Sequence, residues 1–149
     1  KVENGVATYE IARTGSLSAL GTMTLEARKD GIYVKSTSIG EIEGEQLELP
    51  TGLTPGKTWK TSLKIKRQDG SMVENDSTFK VVRQEKVKTP AGEFDALLIE
   101  STGPMKMEGN ESQMSTKGWF VKGRGAVKMS ITTTPKGQKP TTMVIQETK

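Results

Sequence analysis

Apolar and polar residues alternate with a period of two through most of the chain. In Lys57 to Arg67, KTWKTSLKIKR, the residues Trp59, Thr61, Leu63 and Ile65 share one side, and Lys60, Ser62, Lys64 and Lys66 share the other. A helix would scatter the two sets around its axis, whereas a half-buried antiparallel strand separates them cleanly. The same pattern marks Val6 to Thr14, Gly21 to Arg28, Ile32 to Ser38, Ser77 to Thr89, Glu93 to Thr102, Ser115 to Lys122, Gly125 to Thr134 and Thr141 to Thr148. Thr, Val, Ile and aromatic residues fill these runs, as pleated surfaces favour.

The breaks between the runs are made of turn chemistry. Lys29-Asp30-Gly31 reads as a hairpin, and ELPTGLTPGK (Glu48 to Lys57), RQDGSM (Arg67 to Met72) and TPKGQKP (Thr134 to Pro140) read as loops. In VKTPAGEFDALLIES (Val87 to Ser101), Pro90 cannot donate to a ladder and Gly92 can take a positive φ, so TPAGEF reverses the chain. After it, Phe94, Ala96 and Leu98 face one way while Leu97 and Ile99 face the other, which predicts a central strand covered on both sides. One weak helical turn is read near Ser16 to Leu20. The expected fold is therefore all-β: one domain over residues 1–149, a single antiparallel meander of about nine or ten strands curved into an open barrel or sandwich.

Composition narrows the chemistry more than the fold. The 149 residues are 32% hydrophobic and 27% charged, which suits thin layers with one wet side. Neither cysteine nor histidine is present, so disulfides, thiolate chemistry, Ser-His-Asp catalysis and Cys or His metal ligation lie outside this chain's means. No apolar run approaches the roughly 20 residues that span a bilayer as a helix. The formal charge of +4 is too modest to demand a nucleic-acid partner. The opening KVENG, without an initiator Met, suggests a trimmed chain or a mature secreted form.

Candidate motifs weigh mostly toward architecture. STFK, Ser77 to Lys80, matches the Ser-x-x-Lys of serine β-lactamases, but that pair needs a helix and here lies in an alternating run. KGRGAVK (Lys122 to Lys128) reads as a hairpin turn ahead of an anion nest. Glu41, Glu43 and Glu45 would share one side if extended, a solvated edge ahead of a calcium or glycosidase site. Lys60, Lys64 and Lys66 form a stripe, while Lys80, Arg83, Lys86 and Lys88 spread over both faces of their strand. With aromatics at 5%, the stacking platform of an RNA-binding sheet is missing. Met105, Met107 and Met114 could line an apolar site or simply fill gaps. Asn75 and Asn110 open Asn-x-Ser sequons.

Three segments in order carry a resemblance: LTPGKTWKTSL (Leu53 to Leu63), VKTPAGEFDALLIES, and GWFVKGRGAVKMS (Gly118 to Ser130). The chain resembles the TapB-like, domain-of-unknown-function proteins of the bacterial cell envelope, over roughly its C-terminal two-thirds. The resemblance implies an all-β curved sheet, secreted or lipid-anchored, with no assigned catalytic residue. Some such relatives are similar to lipoprotein-carrier half-barrels, whose concave face holds acyl chains. No lipobox cysteine is present here. The expectation is a non-enzymatic extracytoplasmic domain without cofactor or metal, binding an apolar or lipid-like ligand, or serving as a scaffold for another envelope protein. The candidate lining is Trp59, Leu63, Phe79, Phe94, Leu98, Trp119 and Met129. Two alternatives stay open: anionic polymer or lipid head groups on the lysine stripes, and a hydrolase built on carboxylates or Ser77 and Lys80.

Overall fold

A computed structural model describes residues 2–3, 6–11, 22–38 and 40–148. Twelve strands carry the described chain: β1 (Val2–Glu3), β2 (Val6–Ile11), β3 (Met23–Arg28), β4 (Gly31–Thr37), β5 (Glu41–Ile42), β6 (Gln46–Pro50), β7 (Thr58–Lys66), β8 (Met72–Thr89), β9 (Gly92–Met107), β10 (Asn110–Val121), β11 (Gly125–Pro135) and β12 (Thr141–Gln146). The fold is all-β, as the alternation predicts. The helical turn expected near Ser16 to Leu20, and the end of the first predicted strand, lie outside the described residues.

The strands form two antiparallel sheets rather than one meander. A five-stranded sheet has the order β1-β2-β3-β4-β6, and a seven-stranded sheet has the order β12-β11-β10-β9-β8-β7-β5. Neither closes into a barrel. The division falls within GEIEGEQLE: Gly44, at φ 78°, breaks the run, so Glu41–Ile42 pair with β7 while Gln46–Pro50 pair with β4. The three glutamates therefore do not share the side of one strand. Pro50, read as part of a loop, instead ends β6, an outer strand where a missing N–H does little harm.

From β7 to β12 the chain is an uninterrupted meander. The Pro90-Ala91 turn joins β8 to β9 with Thr89 opposite Gly92, and Gly92 takes φ 136°. The Thr89 hydroxyl accepts from the Ala91 N–H at 3.1 Å. The β10–β11 turn at Lys122 to Arg124 carries Gly123 at φ 77°, so KGRGAVK is indeed a hairpin. Strand β9 is the middle of seven, and Ala96, Leu98 and Ile99 are buried although they point both ways. That is the doubly covered strand the sequence predicts.

In the seven-stranded sheet two bulges decide which side each residue reaches. Paired residues share a face, and an extra residue in one strand swaps the faces beyond it. On β8, Val81 pairs with Ile99 but Arg83 pairs with Leu98, leaving Val82 as the extra residue. On β11, Lys128 pairs with Trp119 but Ala126 pairs with Phe120, leaving Val127 extra. The seven-stranded sheet thus has a front face carrying Trp59, Phe79 and Ile99, and a back face carrying Val87, Ala96 and Trp119.

Candidate functional site

The front face is apolar toward the Gly109 end of the sheet. Strand β7 contributes Trp59, Leu63 and Ile65, β8 contributes Val73, Phe79 and Val81, and β9 contributes Ile99, Met105 and Met107. Met114 follows on β10, with Met129 and Ile131 on β11. Ile65, Val81 and Ile99 are buried, whereas Trp59, Leu63, Phe79, Met105, Met114 and Met129 stay half-buried. Trp59 and Phe79, opposite each other, stack with centroids 5.2 Å apart and planes 7° from parallel. The Trp59 indole N–H is buried without a hydrogen-bond partner. An orphaned buried donor costs about 1–3 kcal/mol, so an arriving acceptor would be rewarded there.

A small polar inlay sits within this surface. Ser77 and Ser101 are buried, and the Ser77 hydroxyl donates to Asn75 Oδ1 at 2.6 Å. The Asn75 amide donates to the Pro104 carbonyl at 3.3 Å and reaches Met114 Sδ at 4.0 Å. Pro104 explains the inlay. Without an N–H it cannot bond Asp76, and the β8–β9 ladder skips from Asn75–Met105 to Thr78–Thr102. Gly103 lies in that gap, so close to Asp76 that a Cβ would fall 1.7 Å from its carbonyl oxygen.

The back face at the same end is wet, and its charges alternate in sign across the strands. One rung runs Lys64, Glu74, Lys106, Glu111, and another runs Lys80, Glu100, Lys117. The lysine stripe of β7 is real and exposed, but Glu74 faces Lys64 and Asp76 bonds the Ser62 hydroxyl. Ser77 lies on the front face and Lys80 on the back, so the Ser-x-x-Lys pair does not converge.

Toward the Pro90 end the faces exchange character. Val87, Ala96 and Val127 form a buried cluster on the back, with Phe94, Trp119 and Val121 packed against it. Cations lid the rings: Arg124 lies 4.9 Å over Phe94, and Lys128 lies 5.3 Å over Trp119. Arg124 also grips Glu147 through two bonds of 2.9 and 2.8 Å. The Trp119 N–H donates to Glu85 at 2.7 Å, and with Arg83 beside it this holds the Glu85 carboxyl below the usual range. The front here carries Lys86, Lys88, Glu93 and Asp95, with both lysines near Glu93.

The seven candidate lining residues therefore divide. Trp59, Leu63, Phe79 and Met129 come together on the front, while Phe94, Leu98 and Trp119 belong to the back. The sequence offers Met105, Met107 and Met114 as an apolar lining or as gap-fillers, apart from the seven; the register sets Met105 and Met114 on the same face as Trp59. A cavity of about 250 Å³ opens among Glu111, Ser112, Gln113, Thr134 and Lys136, and a smaller one of about 50 Å³ among Arg28, Tyr33 and Glu45. Both are polar and below the ~300 Å³ at which small-molecule pockets begin. Among the described residues no group of three or more acidic side chains is placed to hold a metal ion, and no helix is long and apolar enough to cross a membrane.

A family model described as DUF3108-like matches residues 26–135. No curated protein and no solved structure matches the chain.

Proposed function

The chain belongs to the DUF3108-like family of domains of unknown function, and from that premise we propose a non-catalytic binding domain that takes an apolar, lipid-like ligand along the front of the seven-stranded sheet. One observation carries the reading. Trp59, Leu63, Phe79, Met105, Met114 and Met129 collect on one face and remain half-buried, while the opposite face is charged. Methionine-rich apolar surface adapts to ligands of varied shape. The unpartnered Trp59 N–H and the Asn75–Ser77 inlay offer a polar end to a molecule that is otherwise oily.

The ligand lies against a face rather than in a closed chamber, since the cavities above are small and polar. The resemblance to TapB-like envelope proteins supports an extracytoplasmic site of action. The alternating rungs on the back speak against capture of an anionic polymer, because each lysine row meets a glutamate row. With Ser77 and Lys80 on opposite faces, a serine–lysine hydrolase has no support.

Native mass spectrometry of the purified chain, followed by titration with oleate and with an uncharged fluorescent apolar probe, tests the reading. Saturable binding that changes Trp59 emission, survives high salt and is weakened by Leu63→Lys supports it. Absence of saturable binding, or binding abolished by salt and indifferent to Leu63→Lys, refutes it.

A further inference from the structure

The smaller sheet has an uncharged face of its own. On β3, β4 and β6 the pairing sets Leu25, Val34 and Gln46 in one row, with Ala27, Ile32 and Leu49 in the next. Leu25, Val34 and Gln46 are buried. The reverse of these strands holds the charges, where Arg28 bridges Glu26 and Glu45 and Lys35 joins Glu26. The smaller sheet starts against the front of the larger one along β7. The Glu43 N–H donates to the Lys64 carbonyl at 2.9 Å, and after Gly44 the chain crosses to β6, which lies beside β7. The end of β4 bridges from Thr37 to Gly40, where an added Cβ would fall 2.7 Å from Ile65 Cγ2, a front-face atom.

Strands β6 and β7 each carry an orphaned polar atom, and the two are of opposite sense. Trp59 Nε1 is a buried donor without an acceptor, and Gln46 Oε1 is a buried acceptor without a donor. Gln46 is only 8% exposed, in a row that is otherwise apolar. A buried group left unpaired is costly, and it asks for a partner from outside the fold. Charge is missing as well. Among the described strand residues, none on the front toward the Gly109 end and none in the two rows of the smaller sheet is acidic or basic. An ionised group brought there would shed its water and find no counter-ion.

We infer that the ligand of the front face is an uncharged amphiphile whose head both gives and takes a hydrogen bond, as a carboxamide or a hydroxyl does. The inference rests on the apolar-ligand reading above and narrows it. The Trp59 N–H donates to the oxygen of the head, and the head's own N–H or O–H donates to Gln46 Oε1. A carboxylate head satisfies Trp59 but has no proton for Gln46, and its charge is unanswered. An ammonium head satisfies Gln46 and leaves the Trp59 N–H alone. A plain hydrocarbon leaves both atoms unpaired. The tail lies over Leu63, Met105 and Met114, the half-buried residues that follow Trp59 across the front.

Ligands that share a tail and differ in the head test this. Oleamide, oleyl alcohol, oleate and octadecene each displace an uncharged fluorescent apolar probe from the whole chain, at a pH that keeps the acid ionised. Oleamide and oleyl alcohol bind about tenfold tighter than oleate and octadecene. Gln46→Leu lowers the ratio of oleamide to octadecene affinity by about tenfold, because the acceptor is gone. It stays folded by circular dichroism, since an apolar side chain in place of a buried orphan relieves the sheet of an unpaired group. Gln46→Met, closer in length, serves should leucine disturb β6. Trp59→Phe keeps a ring against Phe79 and lowers the same ratio. Oleate or octadecene binding as tightly as oleamide, or a ratio unmoved in both Gln46 variants, overturns the inference and leaves the apolar-surface reading standing. Saturable binding of none of the ligands overturns that reading, and the inference with it.

Discussion

Gly103 to alanine is the sharpest single perturbation of this sheet. A Cβ there would sit 1.7 Å from the Asp76 carbonyl oxygen, 2.7 Å from its carbon and 2.9 Å from Ser77 Cα, all backbone atoms of the neighbouring strand. Ordinary contact needs about 3.5 Å, so β8 and β9 must part by well over 1 Å. That is enough to break the flanking pairs, Asn75–Met105 and Thr78–Thr102. Each hydrogen bond lost there is worth about 1 kcal/mol net. Two bonds lost and an overpacking cost of about 1–3 kcal/mol bring the total to about 3–5 kcal/mol. For a chain of this size that lowers the melting temperature by roughly 6–20 °C. Gly118 is the control. The three atoms nearest its added Cβ all belong to the Phe120 ring, at 2.5–3.4 Å, and a ring can rotate away. Urea and thermal unfolding followed by circular dichroism measure both variants. A Gly103→Ala cost below about 1 kcal/mol, or no greater than that of Gly118→Ala, refutes the argument that strand approach requires this glycine.

Two further outcomes follow from local geometry. Glu108 holds φ 51° beside Gly109 in the β9–β10 turn, a left-handed pair that favours Asn-Gly, so Glu108→Asn raises stability by about 0.5–1 kcal/mol in the same unfolding assays. Glu85, bonded by Trp119 and Arg83, and Glu26, bonded by Arg28 and Lys35, both titrate below the ordinary glutamate range. Their folded-state values are depressed, so the stability they lend is complete above the ordinary glutamate value and is lost as pH falls through the lower folded one. Melting temperature measured from neutral pH down through the acid range falls on that side, and Glu85→Gln flattens the fall.

Where alternation runs unbroken the sequence is a full guide. Strand β7 shows it: from Thr58 to Lys66 exposed and covered residues alternate without exception, and the predicted stripe of Lys60, Lys64 and Lys66 is there. The same rule fails past a bulge. Phe79 and Val87 are both odd-numbered and would share a face in a regular strand, yet Val82 throws them to opposite sides. Nothing in KVVRQ distinguishes the extra valine from a paired one, because a bulge is chosen by what the neighbouring strand offers. Trp119 and Met129 part without any bulge: Met129 pairs with Gly118, the neighbour of Trp119, so the two face opposite ways, and only the β10–β11 register reveals it. The division into two sheets was equally hidden. Gly44 breaks GEIEGEQLE visibly, but its consequence, that β5 and β6 leave for different partners, depends on pairings as distant as Val34 with Gln46 and Glu41 with Lys66.

The exchange of faces also bears on why an apolar surface could be spared for binding. At the Pro90 end the back carries a small core of its own, Val87, Ala96 and Val127, closed by Phe94, Trp119 and Val121 and lidded by Arg124 and Lys128. That cluster joins the middle strands, β8, β9, β10 and β11, and Glu147 ties in the chain beyond β12 through Arg124. The long strands are therefore anchored at one end by packing that does not involve Trp59, Leu63, Phe79, Met105 or Met114. Hydrogen-bonded ladders then carry the sheet outward to the Gly109 end, where the aromatic and methionine side chains of the front are left half-buried rather than enclosed. A sheet whose single core lay under those residues would have to bury them to fold. Here the bulges at Val82 and Val127 put that cluster on the back, while Val81, Ile99 and Ile145 are buried on the front, so on the proposed reading a ligand would cover only the side chains the fold leaves half-buried.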